Sequence, residues 1–171
     1  LQASLAFAGE LAPRLERSYL VKGWLNRGEL SMLVGPSNVG KSFLAIDLAH
    51  HVAKGMAWHG VRVTAGPVLY VAAEGAGGFV NRVAVLHEPK FWVLPVPVGL
   101  IGRDSDAAPL AEIVADLARV HGPYALIVVD TMARTMAGAD ENAGPDIADF
   151  LRNVDHLRGA TGAHVMLVHH S

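Results

Sequence analysis

Several common features are missing from this sequence. Cysteine is absent from its 171 residues, which fits a reducing compartment. Apolar residues make up 51% of the chain, but Gly, Pro and charged residues break them into runs too short to cross a bilayer. No basic stretch precedes an apolar one near the start, so no secretory signal is visible. We therefore predict a cytoplasmic protein without a membrane segment.

An excess of one charge is also missing. The chain has 14 Lys and Arg against 16 Asp and Glu, a net charge of −2, so it does not coat nucleic acid by bulk electrostatics. Any contact with DNA or RNA must therefore be confined to a small part of the surface. The three tryptophans, at positions 24, 58 and 92, are far apart in the sequence. We predict that they are core or edge residues and form no base-stacking platform.

The length fits one domain, and we expect a single α/β domain over residues 1–171. The sequence stops directly after an apolar, strand-like run. We therefore expect the domain to be truncated at its C-terminus. The abrupt link over residues 86–91 also suggests that loop residues are missing there.

The most informative motif is GPSNVGKS, which matches the phosphate-binding pattern G-x-x-x-x-G-K-[ST] at every fixed position. A predicted strand, residues 30–34, precedes it and a predicted helix, residues 42–53, follows it, as a phosphate-wrapping loop requires. Lys41 would reach the β- and γ-phosphates, and Ser42 would ligate Mg²⁺. The predicted nucleotide-binding residues are Gly35, Pro36, Ser37, Asn38, Val39, Gly40, Lys41, Ser42 and Phe43.

Gly35 and Gly40 would permit positive φ and a close approach of the backbone to phosphate. In the helix, the spacing places Phe43, Ile46, Ala49, Val52 and Ala53 on one face.

The rest of the chain alternates between strand and helix patterns. Apolar runs predict strands within residues 66–75, 91–94, 124–130 and 164–169. Helical spacing predicts helices over 75–86, 109–121 and 145–158, with a loop over 132–144 that is either mobile and functional or plain surface. This alternation predicts a three-layer α/β sandwich with a mainly parallel sheet and helices on both faces.

Two carboxylates follow buried strands, where ligands collect in open α/β sheets. Asp130 could hold the water shell of Mg²⁺, or it could be a turn or helix-capping aspartate. Glu74 could orient an attacking water, but from its position alone an exposed surface glutamate is equally expected.

Read together, GPSNVGKS, LYVAAEG, ALIVVDTMAR and VMLVHHS resemble the RecA-like ATPase core, most closely that of RepA-type hexameric replicative helicases of plasmids and related phage ATPases. The resemblance spans about residues 24–171. It implies that Glu74 is the catalytic base and Asp130 the Walker B aspartate. It also implies that Lys41 acts in catalysis and that His169 and His170 sense the γ-phosphate. The implied ligands and partners are ATP, Mg²⁺, further copies of the chain in a ring, and single-stranded DNA.

Several alternatives stay open. The two histidines could be core or surface residues, or metal ligands, although adjacent strand residues point to opposite faces. Arg82 and Arg134 could both be solvated surface residues. Alternatively, Arg82 could lie near the nucleotide and Arg134 near the end of the strand that carries Asp130. The resemblance implies an ATP-driven motor that acts on single-stranded DNA. The alternatives are a regulatory ATPase and a small-molecule kinase. ATP is favoured over GTP because the sequence has no N/T-K-x-D element.

Overall fold

The computed structural model of the chain describes residues 7–8, 18–139 and 143–170. These residues form an α/β fold. Its strands are β1 (Tyr19–Val21), β2 (Leu25–Asn26), β3 (Leu30–Gly35), β4 (Val68–Ala72), β5 (Trp92–Leu94), β6 (Leu126–Asp130) and β7 (His164–His170). Its helices are α1 (Lys41–Lys54), α2 (Ala76–Val83), α3 (Ala107–His121), α4 (Met132–Thr135) and α5 (Gly144–Thr161).

The main sheet has five strands in the order β3-β7-β6-β4-β5, and every neighbouring pair is parallel. This confirms the predicted mainly parallel sheet. The sheet is sandwiched because alternate residues of its central strands enter two separate cores. In β6, Ile127 and Val129 pack with residues of α3 and α5, whereas Leu126 and Val128 pack with residues of α1. We call these the α3/α5 face and the α1 face.

Helix α4 was missed by the sequence analysis, which predicted a loop over residues 132–144. Met132 and Thr135 are buried, and the Thr135 hydroxyl donates to the Met132 carbonyl at 2.8 Å, closing one turn. The predicted loop also includes residues 140–142, which lie outside the described part of the chain.

None of the helices in the described ranges is long and apolar enough to span a membrane.

The hairpin of β1 and β2 packs on the α1 face, where Leu20, Val21 and Leu25 are buried. It brings Trp24 against Trp58, with ring centroids 4.8 Å apart and planes 9° from parallel. Trp58 is buried and Trp24 and Trp92 are about half exposed, which agrees with the prediction of core or edge residues, but the contact between Trp24 and Trp58 was not predicted. Sequence distance hid the contact, since 34 residues separate two rings that the fold places together.

His164 joins the hairpin region to the sheet. Its Nδ1 donates to the Asn26 carbonyl at 2.6 Å, which leaves Nε2 of the neutral ring to accept from the Ser31 hydroxyl at 2.7 Å. The side chain is buried. Desolvation lowers the pKa of His164, and the opposing influence of the Asn26 carbonyl and the Glu29 carboxylate does not cancel it.

This environment predicts a pH-dependent stability. Because the unfolded chain protonates His164 near pH 6.5 while the folded chain resists protonation, the free energy of unfolding should fall as the pH drops below about 6.5. The slope from this one group is at most about 1.4 kcal/mol per pH unit. Urea denaturation between pH 8 and pH 5 measures it. His164→Gln should flatten the profile, whereas His156→Gln, at an exposed position on α5, should not. Identical profiles for all three proteins would contradict the prediction.

Candidate nucleotide-binding and catalytic site

The predicted site residues lie at the carboxyl-terminal ends of the strands, which meet on one side of the sheet because the strands are parallel. Gly35 of β3 pairs with His170 of β7, and Asp130 of β6 pairs with both Val168 of β7 and Ala72 of β4. The carboxyl ends of these strands therefore meet, as in other open α/β sheets that bind ligands there.

The GPSNVGKS loop connects β3 to α1 on this side of the sheet. Helix α1 begins at Lys41 directly after Gly40, whose φ of 92° is left-handed, and Asn38 also has a positive φ, 64°. Gly35 is not among the described residues with positive φ, so only Gly40 uses the freedom that we predicted for both glycines. Such a turn at a helix N-terminus presents backbone N–H groups to an anion.

Lys41 is held inside the loop. Its side chain is buried, and Nζ donates to the carbonyls of Gly35 and Pro36, each at 2.6 Å. A buried ammonium needs hydrogen-bond acceptors, which the loop provides. The charge therefore lies where the loop would cradle phosphate.

A polar cavity of about 420 Å³ opens in front of this loop. It is large enough for a small ligand. Three cationic or titratable side chains reach it from other elements: Glu74 after β4, Arg82 on α2 and His170 on β7. The loop and α1 contribute Ser37, Asn38, Gly40, Lys41, Ser42 and Phe43.

Phe43 differs from the sequence expectation in one respect. It was predicted to share one helical face with Ile46, Ala49 and Val52, but it is 56% exposed and lines the cavity, with Arg82 Cζ 5.7 Å from its ring centroid. The apolar face of α1 is instead formed by residues of its later turns, including Ile46, Ala49 and Val52. Phe43 lies in the first turn, at the cavity edge, and this position fits the predicted contact with nucleotide.

The two histidines at the end of β7 lie on different faces. His170 shares the α1 face with Met166 and Val168, lines the cavity, and places Nδ1 3.4 Å from the Ser37 hydroxyl. His169 alternates to the other face and is not among the cavity residues. The structure thus brings only His170 to the loop.

Glu74 lies in the turn between β4 and α2 and is about half exposed. Arg134 Nε is 3.9 Å from its Oε1, and the two side chains are 66% and 48% exposed, so this ion pair is well solvated. An exposed pair of this kind contributes little to stability. Its effect is positional, because it places an arginine beside the carboxylate.

Asp130 is buried, and its two carboxylate oxygens have different surroundings. Oδ2 accepts a 2.6 Å hydrogen bond from the Tyr70 hydroxyl, whereas Oδ1 has no hydrogen-bond partner among the described residues. Burial and the adjacent Asp130 raise the pKa of Tyr70, which keeps the phenol protonated as a donor. A buried, unsatisfied carboxylate oxygen is suited to a cation or its bound water.

This arrangement fits Mg²⁺. That ion keeps several waters and commonly binds through one or two carboxylates together with substrate phosphates. Asp130 would hold it from the sheet and the Ser42 hydroxyl from the start of α1. Bound there, the ion would neutralise charge developing on the phosphate oxygens.

A second cavity, about 500 Å³, lies between α2 and β5. It is lined by apolar side chains such as Phe79, Val83 and Val93, and no charged side chain lines it. Although it is the larger of the two, it lacks the chemistry for phosphate. The polar cavity at the GPSNVGKS loop is therefore the candidate nucleotide site.

Comparison with known families supports this assignment. A family model described as an AAA domain matches residues 1–171, the full length of the chain. The protein belongs to the AAA domain family. No curated protein matches the chain. The AAA domain is an ATPase type, so nucleotide binding by this chain follows from family membership as well as from the loop.

Proposed function

We propose that this AAA domain hydrolyses ATP in the polar cavity in front of the GPSNVGKS loop. The observation that carries the proposal is the convergence of Lys41, Glu74, Arg82 and His170 on that cavity, with the buried Asp130 carboxylate on the adjoining strand end. These five groups come from five parts of the fold: the start of α1, the turn after β4, α2, β7 and β6. Together they supply a lysine in the phosphate-binding loop, two carboxylates, an arginine and a histidine.

Each group has a role that its position supports. The loop N–H groups and Lys41 would hold the β- and γ-phosphates, and Ser42 and Asp130 would hold Mg²⁺. Glu74 would accept the proton of the attacking water, because it is a carboxylate that lines the same cavity as the loop. Arg82 and His170 would contact phosphate oxygens. For His169, which is not at the cavity, a γ-phosphate role remains a prediction from the resemblance alone.

We further propose that the domain works as a ring-forming motor on single-stranded DNA in the cytoplasm. The support is the resemblance of its four motifs to RepA-type replicative helicases. The small net charge agrees with DNA contacts confined to a few loops. The alternative is a regulatory ATPase that switches a protein partner and is indifferent to DNA.

Turnover of ATP with and without single-stranded DNA separates these two functions. We expect phosphate release to depend on Mg²⁺ and to rise when single-stranded DNA is added. Glu74→Gln protein, purified in the same way, measures contaminating ATPases. Molecular mass with ATP bound, measured by light scattering, tests the ring.

Each result has a distinct meaning. DNA-stimulated turnover by an oligomer supports the motor. Turnover that ignores DNA contradicts the motor and leaves the regulatory ATPase. Absence of turnover under all of these conditions contradicts ATP hydrolysis itself.

A further inference from the structure

Tyr70 lies in the middle of β4, where its side chain is fully buried. Its hydroxyl donates to Asp130 Oδ2 at 2.6 Å, across the β4–β6 pair. We propose that Tyr70 is a positioning residue for the metal: its phenol fixes the Asp130 carboxylate so that Oδ1 is the oxygen directed to Mg²⁺ and its waters. This inference rests on the proposed function and adds to it a residue to which the resemblance assigned no role.

The surroundings of Asp130 support the directional role. Tyr70 occupies Oδ2, and Oδ1 has no hydrogen-bond partner within residues 18–139 and 143–170, so Oδ1 is the oxygen that is left for a cation. Asp130 also lines a small cavity of about 90 Å³ together with Glu74 and Arg82. Those two residues line the nucleotide cavity as well, so the two spaces share a wall. The carboxylate is therefore held next to the place where phosphate would bind.

The ring of Tyr70 is itself fixed by packing. Its centroid is 4.7 Å from that of Phe79 and 6.3 Å from that of Phe91. Tight packing leaves the ring little freedom, so the hydroxyl position is set by the core. Phenylalanine at position 70 would keep this packing and remove only the hydroxyl.

A second buried tyrosine shows that the hydrogen bond is not a requirement for burying a phenol here. Tyr124 is also nearly inaccessible to solvent, yet its hydroxyl has no hydrogen-bond partner in the described part of the chain. Its pKa is raised by burial. Tyr124 therefore provides a matched control: a buried phenol that is not bonded to Asp130.

The experiment measures the affinity for a fluorescent ATP analogue with Mg²⁺ and with EDTA. The affinity with Mg²⁺ divided by the affinity in EDTA measures how much the metal strengthens nucleotide binding. Tyr70→Phe should lower this ratio about tenfold, as is typical when an outer-shell partner of a metal ligand is removed, and should leave the affinity in EDTA unchanged. Tyr124→Phe should change neither value. In an Asp130→Asn background, Tyr70→Phe should have no further effect on the ratio.

Two results would overturn the positioning role while leaving the proposed function intact. One is a wild-type ratio in Tyr70→Phe. The other is an equal loss of affinity in both conditions, which indicates general structural damage. Wild-type protein that binds no nucleotide would instead overturn the proposed function, and this inference with it.

A measurement on the unaltered side chain covers the case in which Tyr70→Phe does not fold. The chain has only three tyrosines, so ¹³Cζ-labelled tyrosine gives three signals, which Tyr19→Phe and Tyr124→Phe assign by elimination. Adding Mg²⁺ to the ADP-bound protein should shift the Tyr70 signal and not the Tyr124 signal. A Tyr70 signal that does not move would contradict the proposal.

Discussion

Lys41→Ala should weaken ATP binding by about a hundredfold or more, equivalent to about 3 kcal/mol. The reason is that the Lys41 ammonium is buried inside the loop, where it is in place to make charge-assisted hydrogen bonds to phosphate. Alanine is a good helix former, so α1 should still begin at the same residue. Titration of a fluorescent ATP analogue in the presence of Mg²⁺ measures the loss.

Lys54→Ala is the matched control for this prediction. Lys54 is the last residue of the same helix, and its Nζ donates to the His87 carbonyl at 3.1 Å, away from the cavity. Its replacement should leave ATP affinity unchanged. If Lys41→Ala bound ATP as tightly as Lys54→Ala, the assigned phosphate cradle would be wrong.

Glu74→Gln should bind ATP with nearly wild-type affinity and turn it over about 10²–10⁴-fold more slowly. Glutamine keeps the size and polarity of the side chain but cannot accept the proton of the attacking water. The substitution also breaks the contact with Arg134, but that pair is so exposed that its loss should hardly change the free energy of unfolding. A slow variant is therefore a catalytic defect and not a folding defect.

Two controls test whether the effect of Glu74→Gln is specific to the loss of a carboxylate at the cavity. Glu112→Gln removes a carboxylate from an exposed site on α3 and should leave kcat unchanged. Arg134→Ala tests whether the arginine beside Glu74 is needed to place it. Glu74→Gln with a wild-type kcat would show that another group or water itself accepts the proton.

Much of this site could be predicted from the sequence because its chemistry is local. The loop motif fixes the positions of Lys41 and Ser42, and the apolar runs before Glu74 and Asp130 place both carboxylates at strand ends. Parallel strands then bring these ends to one side of the sheet, as the structure shows. The functional roles of these carboxylates stay predictions until the variants are measured.

The features of the site that could not be predicted depend on which strands pair and in which register. The Tyr70–Asp130 hydrogen bond requires β4 and β6 to be neighbours in a particular register, although α2, β5 and α3 separate them in the chain. A signal was available, because a tyrosine inside an otherwise aliphatic buried run usually finds a partner for its hydroxyl. Similarly, the difference between His169 and His170 depends on which face of β7 turns toward α1.

The most direct test of ATP hydrolysis at this site is a single-turnover reaction with protein in excess over ATP. Rapid quenching followed by separation of the nucleotides shows whether the bound ATP has been cleaved. We predict that wild-type protein converts its bound ATP to ADP, while Glu74→Gln still holds intact ATP over the same period. Equal conversion by the two proteins, or intact ATP on both, would contradict the account.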